Sequence, residues 1–182
     1  LAHLDCEKIG EYERIISADE LTRADKFRFE KDRNKFIAGR SILRKILGEY
    51  LQKQPNLLRF AYNQFGKPFL CGENESKLEF NLSHSGNLAL FAFCLNREIG
   101  VDIEERNADF IEEGVISLSL SHKETEHFHS LPPDERTLFF FDCWTKKEAY
   151  LKAHGCGLSL EPNQLETSEL NETGFSFPNL PD

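Results

Sequence analysis

Hydrophobic positions along this chain follow two periods. Over 34–51, "NKFIAGRSILRKILGEYL", Phe36, Ile37, Ile42, Leu43, Ile46, Leu47, Tyr50 and Leu51 fall on one helical stripe, and Pro55 and Asn56 mark its end. An earlier helix opens in "SADELTRADKFRF", where Ser17 and Glu20 have capping-box spacing. The period then drops to two. "LLRFAYN" reads as a strand, and "FGKPFL" as a Gly/Pro turn running into a short extended piece. "KLEFNLS" and "LALFAFCL" read as two strands joined by the turn-rich "HSGN". "IGVDIE", 99–104, reads as a further strand. Residues 115–131 read as helix or as mixed loop and helix. Pro132 and Pro133 open a long helix over 134–154, closed by Gly155 in the C′ role. A strand is expected after this helix, and past "GLSLEP" the chain becomes polar and turn-rich.

Helices, a cluster of strands, a long helix and a strand give an α+β fold. The chain shows no βαβ rhythm and no G-x-G-x-x-G, so a doubly wound sheet is excluded. The length of 182 residues suits one large domain or two small halves sharing a core. The chain opens on Leu1, so a preceding segment is expected.

Charge changes the picture. The total is −9, yet nine Lys/Arg against three acids between Arg23 and Lys45 make that segment +6 and leave −15 elsewhere. One basic segment in an acidic protein suggests an anionic ligand at one place, or simply a solvated helix face. It does not suggest a nucleic-acid coat. No apolar run reaches 18 residues, so no membrane span is expected. The five cysteines are odd in number and widely spaced without a C-x-x-C pair, which fits neither a zinc site nor a disulfide framework. They read as small core residues in a reducing cytoplasm.

Four short stretches could carry chemistry, and each also has a plain reading. Asp102 and Glu104 share one face of a strand, about 6–7 Å apart, and could close on a hard cation such as Mg²⁺; they could equally mark a strand end entering solvent. Glu148 and Lys152, in "WTKKEAYLK", are neighbours on one helix face. They read as a surface pair, or as a metal ligand beside a phosphate-neutralising ammonium. Ser83, His84 and Ser85, in "NLSHSG", could hold phosphate oxygens or form a turn. Lys67, in "FGKP", could reach a phosphate from its turn or stay an exposed lysine. A Ser-His hydrolase is a poor reading, because G-x-S-x-G is absent. Together, three carboxylates, several cations and one histidine suit attack on a pyrophosphate-containing ligand.

With "FGKPFL", "FNLSHSG", "IGVDIEE" and "FFFDCWTKKEAYLKAHGCGLSL" in this order, the chain resembles the 4′-phosphopantetheinyl transferases of the Sfp (surfactin-synthetase-activating) type over about residues 17–165. The resemblance implies two similar α/β halves related by a pseudo-two-fold, with the active site at their interface. The halves would be 1–98, binding the coenzyme A phosphates, and 99–182, carrying the metal site and catalytic helix but lacking the family's last strands. It implies transfer of the phosphopantetheine arm of coenzyme A to a serine of an acyl or peptidyl carrier protein, with adenosine 3′,5′-bisphosphate as the other product. Asp102, Glu104 and Glu148 would bind Mg²⁺, for which Mn²⁺ could substitute. Lys152 would stabilise pyrophosphate charge, and Glu148 would take the serine proton directly or through a water. Lys67, Ser83, His84 (at the 3′-phosphate), Arg40 and Arg23, Lys26 or Arg28 would hold the coenzyme's phosphates. Thr22 and Asp25 depart from the family at positions where a lysine is expected. A cytoplasmic monomer is expected, and apolar residues between Val115 and Leu131 either meet the carrier or pack the core. Two other functions fit parts of the pattern: a non-catalytic coenzyme A- or carrier-binding module, and a metal-dependent phosphohydrolase or nuclease using D-x-E.

Overall fold

The computed structural model describes residues 1–71, 77–155, 157 and 160–169. Two 22-residue helices organise it. The N-terminal one, α3 (Glu30–Leu51), follows the short helices α1 (Ile9–Tyr12) and α2 (Ala18–Ala24). Ser17 caps α2 with Glu20 in the reciprocal capping box that the spacing predicts. However, α2 stops at Ala24, and α3 begins four residues before the expected Asn34. It ends at Leu51, with Gln52 in the left-handed region at φ 52°, before Pro55 is reached.

The strands are antiparallel throughout. In the main sheet, β4 (Leu78–Ser85) pairs with β5 (Leu88–Leu95), and the two-residue β1 (Ala2–His3) lies on the other side of β5. The β4–β5 register runs from Leu78↔Leu95 to Ser85↔Leu88, so His84 and Ser85 belong to the strand and only Gly86 and Asn87 form the turn. A separate hairpin pairs β2 (Phe60–Tyr62) with β3 (Pro68–Leu70).

The helix α3 covers one side of the sheet. Its Ile37 and Ala38 pack with Leu4, Tyr12, Ile16 and Ala89, while Leu43 and Leu47 pack with Leu58, Leu78 and Phe80. Ile37, Leu43 and Leu47 are fully buried, each stabilising the fold by roughly 1.5–3 kcal/mol relative to exposure. The second long helix, α6 (Pro133–His154), anchors a C-terminal cluster with α4 (Glu113–Ser119) and α5 (His122–Ser130). Ile116, Leu120, Phe128, Phe140, Phe141 and Cys143 form its core. Pro133 opens α6, and Gly155 closes it at φ 63°, as the sequence predicts.

Two expectations need correction. Residues 98–107 form neither helix nor strand, so "IGVDIE" is not a strand. From Pro162 on, the described residues make two 3₁₀ turns, in keeping with the turn-rich stretch expected there. Of the cysteines, Cys143 is buried but Cys6, Cys71 and Cys94 are half-exposed; all four are free thiols. Cys156, Leu158 and Ser159 of the "GLSL" stretch and the polar tail after 169 lie outside the described residues. Among those described, no helix is long and apolar enough to cross a membrane.

Candidate active site

The side of the main sheet opposite α3 is polar for a reason of register. Leu78 and Phe80 face α3, so Asn81, Ser83 and Ser85 must face the other way. These three side chains replace a missing strand partner. Asn81 Oδ1 accepts from the Val101 amide at 2.9 Å, and the Ser83 hydroxyl donates to Asp102 Oδ1 at 2.7 Å. The Ser85 hydroxyl accepts from the Glu105 amide at 2.9 Å and donates to Glu104 Oε2 at 3.1 Å. The acidic segment thus runs beside β4 on side-chain hydrogen bonds, which is why an apolar, alternating stretch does not become a strand.

The other wall is α6. A Cβ at Gly100 would collide with the Ala149 carbonyl oxygen and the Ala153 nitrogen, so the helix backbone rests directly on this glycine. The end of α6 is held by the β2–β3 hairpin. Asn63 organises the hairpin loop by accepting from the Phe65 and Lys67 amides at 2.9 Å each, and its Nδ2 donates to the Gly155 carbonyl at 2.7 Å. Lys67 Nζ donates to the Ala153 carbonyl at 2.5 Å and to Ile99 at 3.4 Å. An ammonium at a helix C-terminus satisfies orphan carbonyls and favours the helix dipole. Further up, Lys147 is fully buried, bonded to Glu124 and to the Ser119 carbonyl at 2.8 Å. Glu124 also accepts from the Thr167 amide and hydroxyl, at 2.8 and 2.7 Å. That pair fixes the rotation of α6 about its own axis, which turns Glu148 and Lys152 toward the acidic segment.

There Lys152 Nζ pairs with Asp102 Oδ1 and donates to the Ser83 hydroxyl at 2.9 Å. The Asp102 side chain is 1% exposed, and its Oδ2 is buried with no hydrogen-bond partner among the described residues. A buried carboxylate oxygen in that state is costly unless a cation or donor completes it. Glu148 stands beside this pair. Burial pushes its carboxyl above the usual range and the charges of Asp102 and Glu104 add to the rise, against the opposing pull of Lys152. Phe65, Lys67, Asn81, Glu148, Lys152 and Gly157 line a cleft of about 290 Å³.

Among the described residues, no three His, Cys, Asp or Glu side chains stand close enough to hold a metal by themselves, so Asp102, Glu104 and Glu148 do not form a closed three-carboxylate cage. The chemistry of the donors still fits a hard cation that needs only one or two carboxylates, with water and phosphate oxygens completing its shell. The orphaned Asp102 oxygen is the position such an ion would satisfy.

The remaining expected residues lie apart from this centre. His84 is exposed near the end of β4. Arg40 is 4% exposed, with Nε on Glu20 at 2.7 Å and Nη2 on the Tyr62 hydroxyl at 3.1 Å, so it is part of a buried network. Arg23 stacks 3.8 Å above the Tyr62 ring and, with Lys26, Phe27 and Phe36, lines a second cleft of about 510 Å³. The sequence reading missed Asn63, Asn81, Gly100 and Lys147. For Asn81 a signal existed: polar residues at every second position of an otherwise apolar strand.

Comparison with known proteins agrees with this geometry. Residues 98–182 match the model of the 4′-phosphopantetheinyl transferase superfamily, and residues 7–96 match that of its N-terminal part. The chain is 46% identical over 146 residues to the 4′-phosphopantetheinyl transferase HetI of Nostoc sp., covering 79% of this chain and 61% of the relative. It is 32% identical over 169 residues to a putative 4′-phosphopantetheinyl transferase, slr0495, of Synechocystis sp., covering 93% and 69%. It is 28% identical over 179 residues to the 4′-phosphopantetheinyl transferase Sfp of Bacillus subtilis, covering 98% of this chain and 77% of the relative. With both long helices and the acidic segment inside the matched stretches, this chain belongs to the 4′-phosphopantetheinyl transferase family.

Proposed function

We propose that this chain transfers the 4′-phosphopantetheine arm of coenzyme A to a serine hydroxyl of an apo acyl or peptidyl carrier protein, releasing adenosine 3′,5′-bisphosphate. The observation that carries this reading is the Ser83–Asp102–Lys152 cluster, in which the buried Asp102 keeps an oxygen unpartnered among the described residues and Lys152 lines the same cleft as Glu148. The serine proton passes to Glu148, directly or through a water, and the serine oxygen attacks the pyrophosphate phosphorus nearer the pantetheine arm. The bond from that phosphorus to the bridging oxygen breaks, and the oxygen leaves with the adenosine bisphosphate. A carboxyl whose affinity for protons is raised by burial is a better base than an ordinary one. Lys152 meets the charge that develops on the pyrophosphate. Asp102, with Glu104 and Glu148, would hold Mg²⁺, which when bound neutralises the pyrophosphate; Mn²⁺ accepts the same oxygen donors.

Ser83 and His84 on β4, with Lys67 on the hairpin, would contact the coenzyme's phosphates, His84 taking the 3′-phosphate. Arg23 and Lys26 would add to that pocket from the second cleft. Arg40 supports it indirectly, by holding Tyr62, on which Arg23 stacks. In the proposed division, residues 1–98 bind the phosphates, and 99–182 supply the metal ligands and the base. The test is intact-mass spectrometry of an apo carrier incubated with this protein, coenzyme A and Mg²⁺. A gain of one phosphopantetheine arm, abolished by EDTA, is expected. Coenzyme A binding with no gain on any fatty-acid or peptide carrier would leave a binding module instead.

A further inference from the structure

Residues 98–107 lack the backbone ladder of a strand, yet they deliver Asp102 to a buried position with one oxygen committed to Ser83 and Lys152. The segment therefore needs another source of register. Asn81 supplies it on the β4 side. Asparagine is depleted in strands and costly to bury unless bonded. This one is 5% exposed in mid-strand, and its carbonyl oxygen is spent on the amide of Val101, the residue before Asp102. Two positions on, Ser83 takes Asp102; two further, Ser85 takes the Glu105 amide and the Glu104 carboxylate. Three successive positions of one β4 face thus index the segment, and Gly100 seats its opposite side against α6. A slip of one residue would replace Asp102 by Val101 or Ile103 at the buried point.

We propose that Asn81, with Ser85 as its outer counterpart, is a positioning residue that sets the acidic segment's register and so presents the Asp102 oxygen to the cation. The inference rests on the transferase reading for its functional consequence, but its structural half can be tested without activity. The probes are hydrogen–deuterium exchange at the Val101 amide, Mn²⁺ binding followed by electron paramagnetic resonance, and carrier transfer by mass, each on wild type, Asn81→Ala and Ser85→Ala.

In Asn81→Ala the Val101 amide exchanges faster while β4–β5 amides stay protected. Mn²⁺ affinity falls about 10–100-fold, the range for loss of a group that orients a metal ligand. The Ser85→Ala variant weakens Mn²⁺ binding in the same direction by a smaller factor. Because Ser85 is half-exposed, it carries the test if Asn81→Ala does not fold. Unchanged Val101 exchange in a folded Asn81→Ala, or wild-type Mn²⁺ affinity in both variants, would overturn the proposal. A wild-type protein that neither binds Mn²⁺ nor transfers the arm sinks the transferase reading instead, and Val101 exchange then decides by itself whether Asn81 sets the register.

Discussion

Among the described residues, the Glu20 cluster and the Asp102 cluster are built on opposite plans. In the first, Glu20 is fully buried and both its oxygens are used: Oε1 by Arg40 Nε at 2.7 Å, Oε2 by Arg44 Nε at 2.6 Å and by the amide and hydroxyl of Ser17 at 3.0 Å. Arg44 goes on to the Pro55 and Leu58 carbonyls at 2.8 and 2.9 Å. Burial alone would raise the Glu20 carboxyl, but the two guanidiniums and the Ser17 amide outweigh it and hold it below its usual range. In the second cluster, Asp102 shares one oxygen between Ser83 and Lys152 and leaves the other unpartnered among the described residues, and the neighbouring Glu148 is pushed upward. A closed network of this kind holds structure together. An open one, with surplus acid facing a cleft, is stabilised only when a ligand arrives.

The contrast breaks most sharply at the open cluster. Asp102→Ala and Lys152→Ala are each expected to cut carrier transfer by at least about 10²–10³-fold, the usual cost of removing a group that stabilises developing charge. Their circular dichroism and cooperative melting should stay close to wild type. Near-normal turnover by either variant would remove the catalytic role assigned to the cluster.

At the closed cluster the effect moves to stability. Removing Glu20 strands two buried guanidiniums, so Glu20→Ala is expected to lose about 3–5 kcal/mol in urea unfolding. A loss under about 1 kcal/mol would mean that water or a neighbouring group compensates, and that the two clusters are less different than their geometry indicates.

How far the sequence revealed each cluster follows from the range of the forces involved. Local signals were legible. The Ser17/Glu20 capping box, the Pro133 start and Gly155 end of α6, and the β4–β5 alternation all appear where spacing places them. Glu148 and Lys152 were legible as helix-face neighbours, and the structure brings Lys152 onto Asp102. What sequence could not give was partner choice across the fold. Glu20 looked like a cap and is also the counter-ion of two arginines twenty or more residues away. Arg40 looked like a phosphate ligand and is largely committed to Glu20 and Tyr62. "IGVDIE" has a strand's alternation, but β4 holds it by side chains rather than by a backbone ladder.

The two plans also differ in their response to acid. Glu20 and Glu124 have lowered carboxyls, so their contribution to stability is present above the ordinary value of 4.5 and fades as pH falls through their depressed values. Glu148 has the opposite sign: its raised carboxyl means that the folded state holds the proton more tightly, so its contribution is full below 4.5 and is lost as pH rises through the raised value. Glu148→Gln should therefore melt higher than wild type near neutral pH, with the gap closing toward about pH 4. The same variant should lose transfer, because the base is gone. A Glu148→Gln protein that melts lower than wild type at neutral pH would show that its charge is compensated in the folded state.

The smallest expected effect probes how the open cluster is held. Lys67 reaches the last turn of α6 from the hairpin, at the Ala153 carbonyl, one residue beyond Lys152. Exchanging it for methionine keeps most of the packing of its stem and removes the charge at the helix C-terminus, an interaction typically worth about 0.3–1 kcal/mol. Global stability should fall by that amount. If the hairpin's contact also steadies Lys152, amides in the last turn of α6 should exchange faster in Lys67→Met while those around Glu124 and Lys147 do not. The KM for coenzyme A separates this from a direct phosphate contact. A raised KM with an unchanged α6 exchange pattern assigns Lys67 to the ligand, whereas faster exchange with an unchanged KM assigns it to the helix.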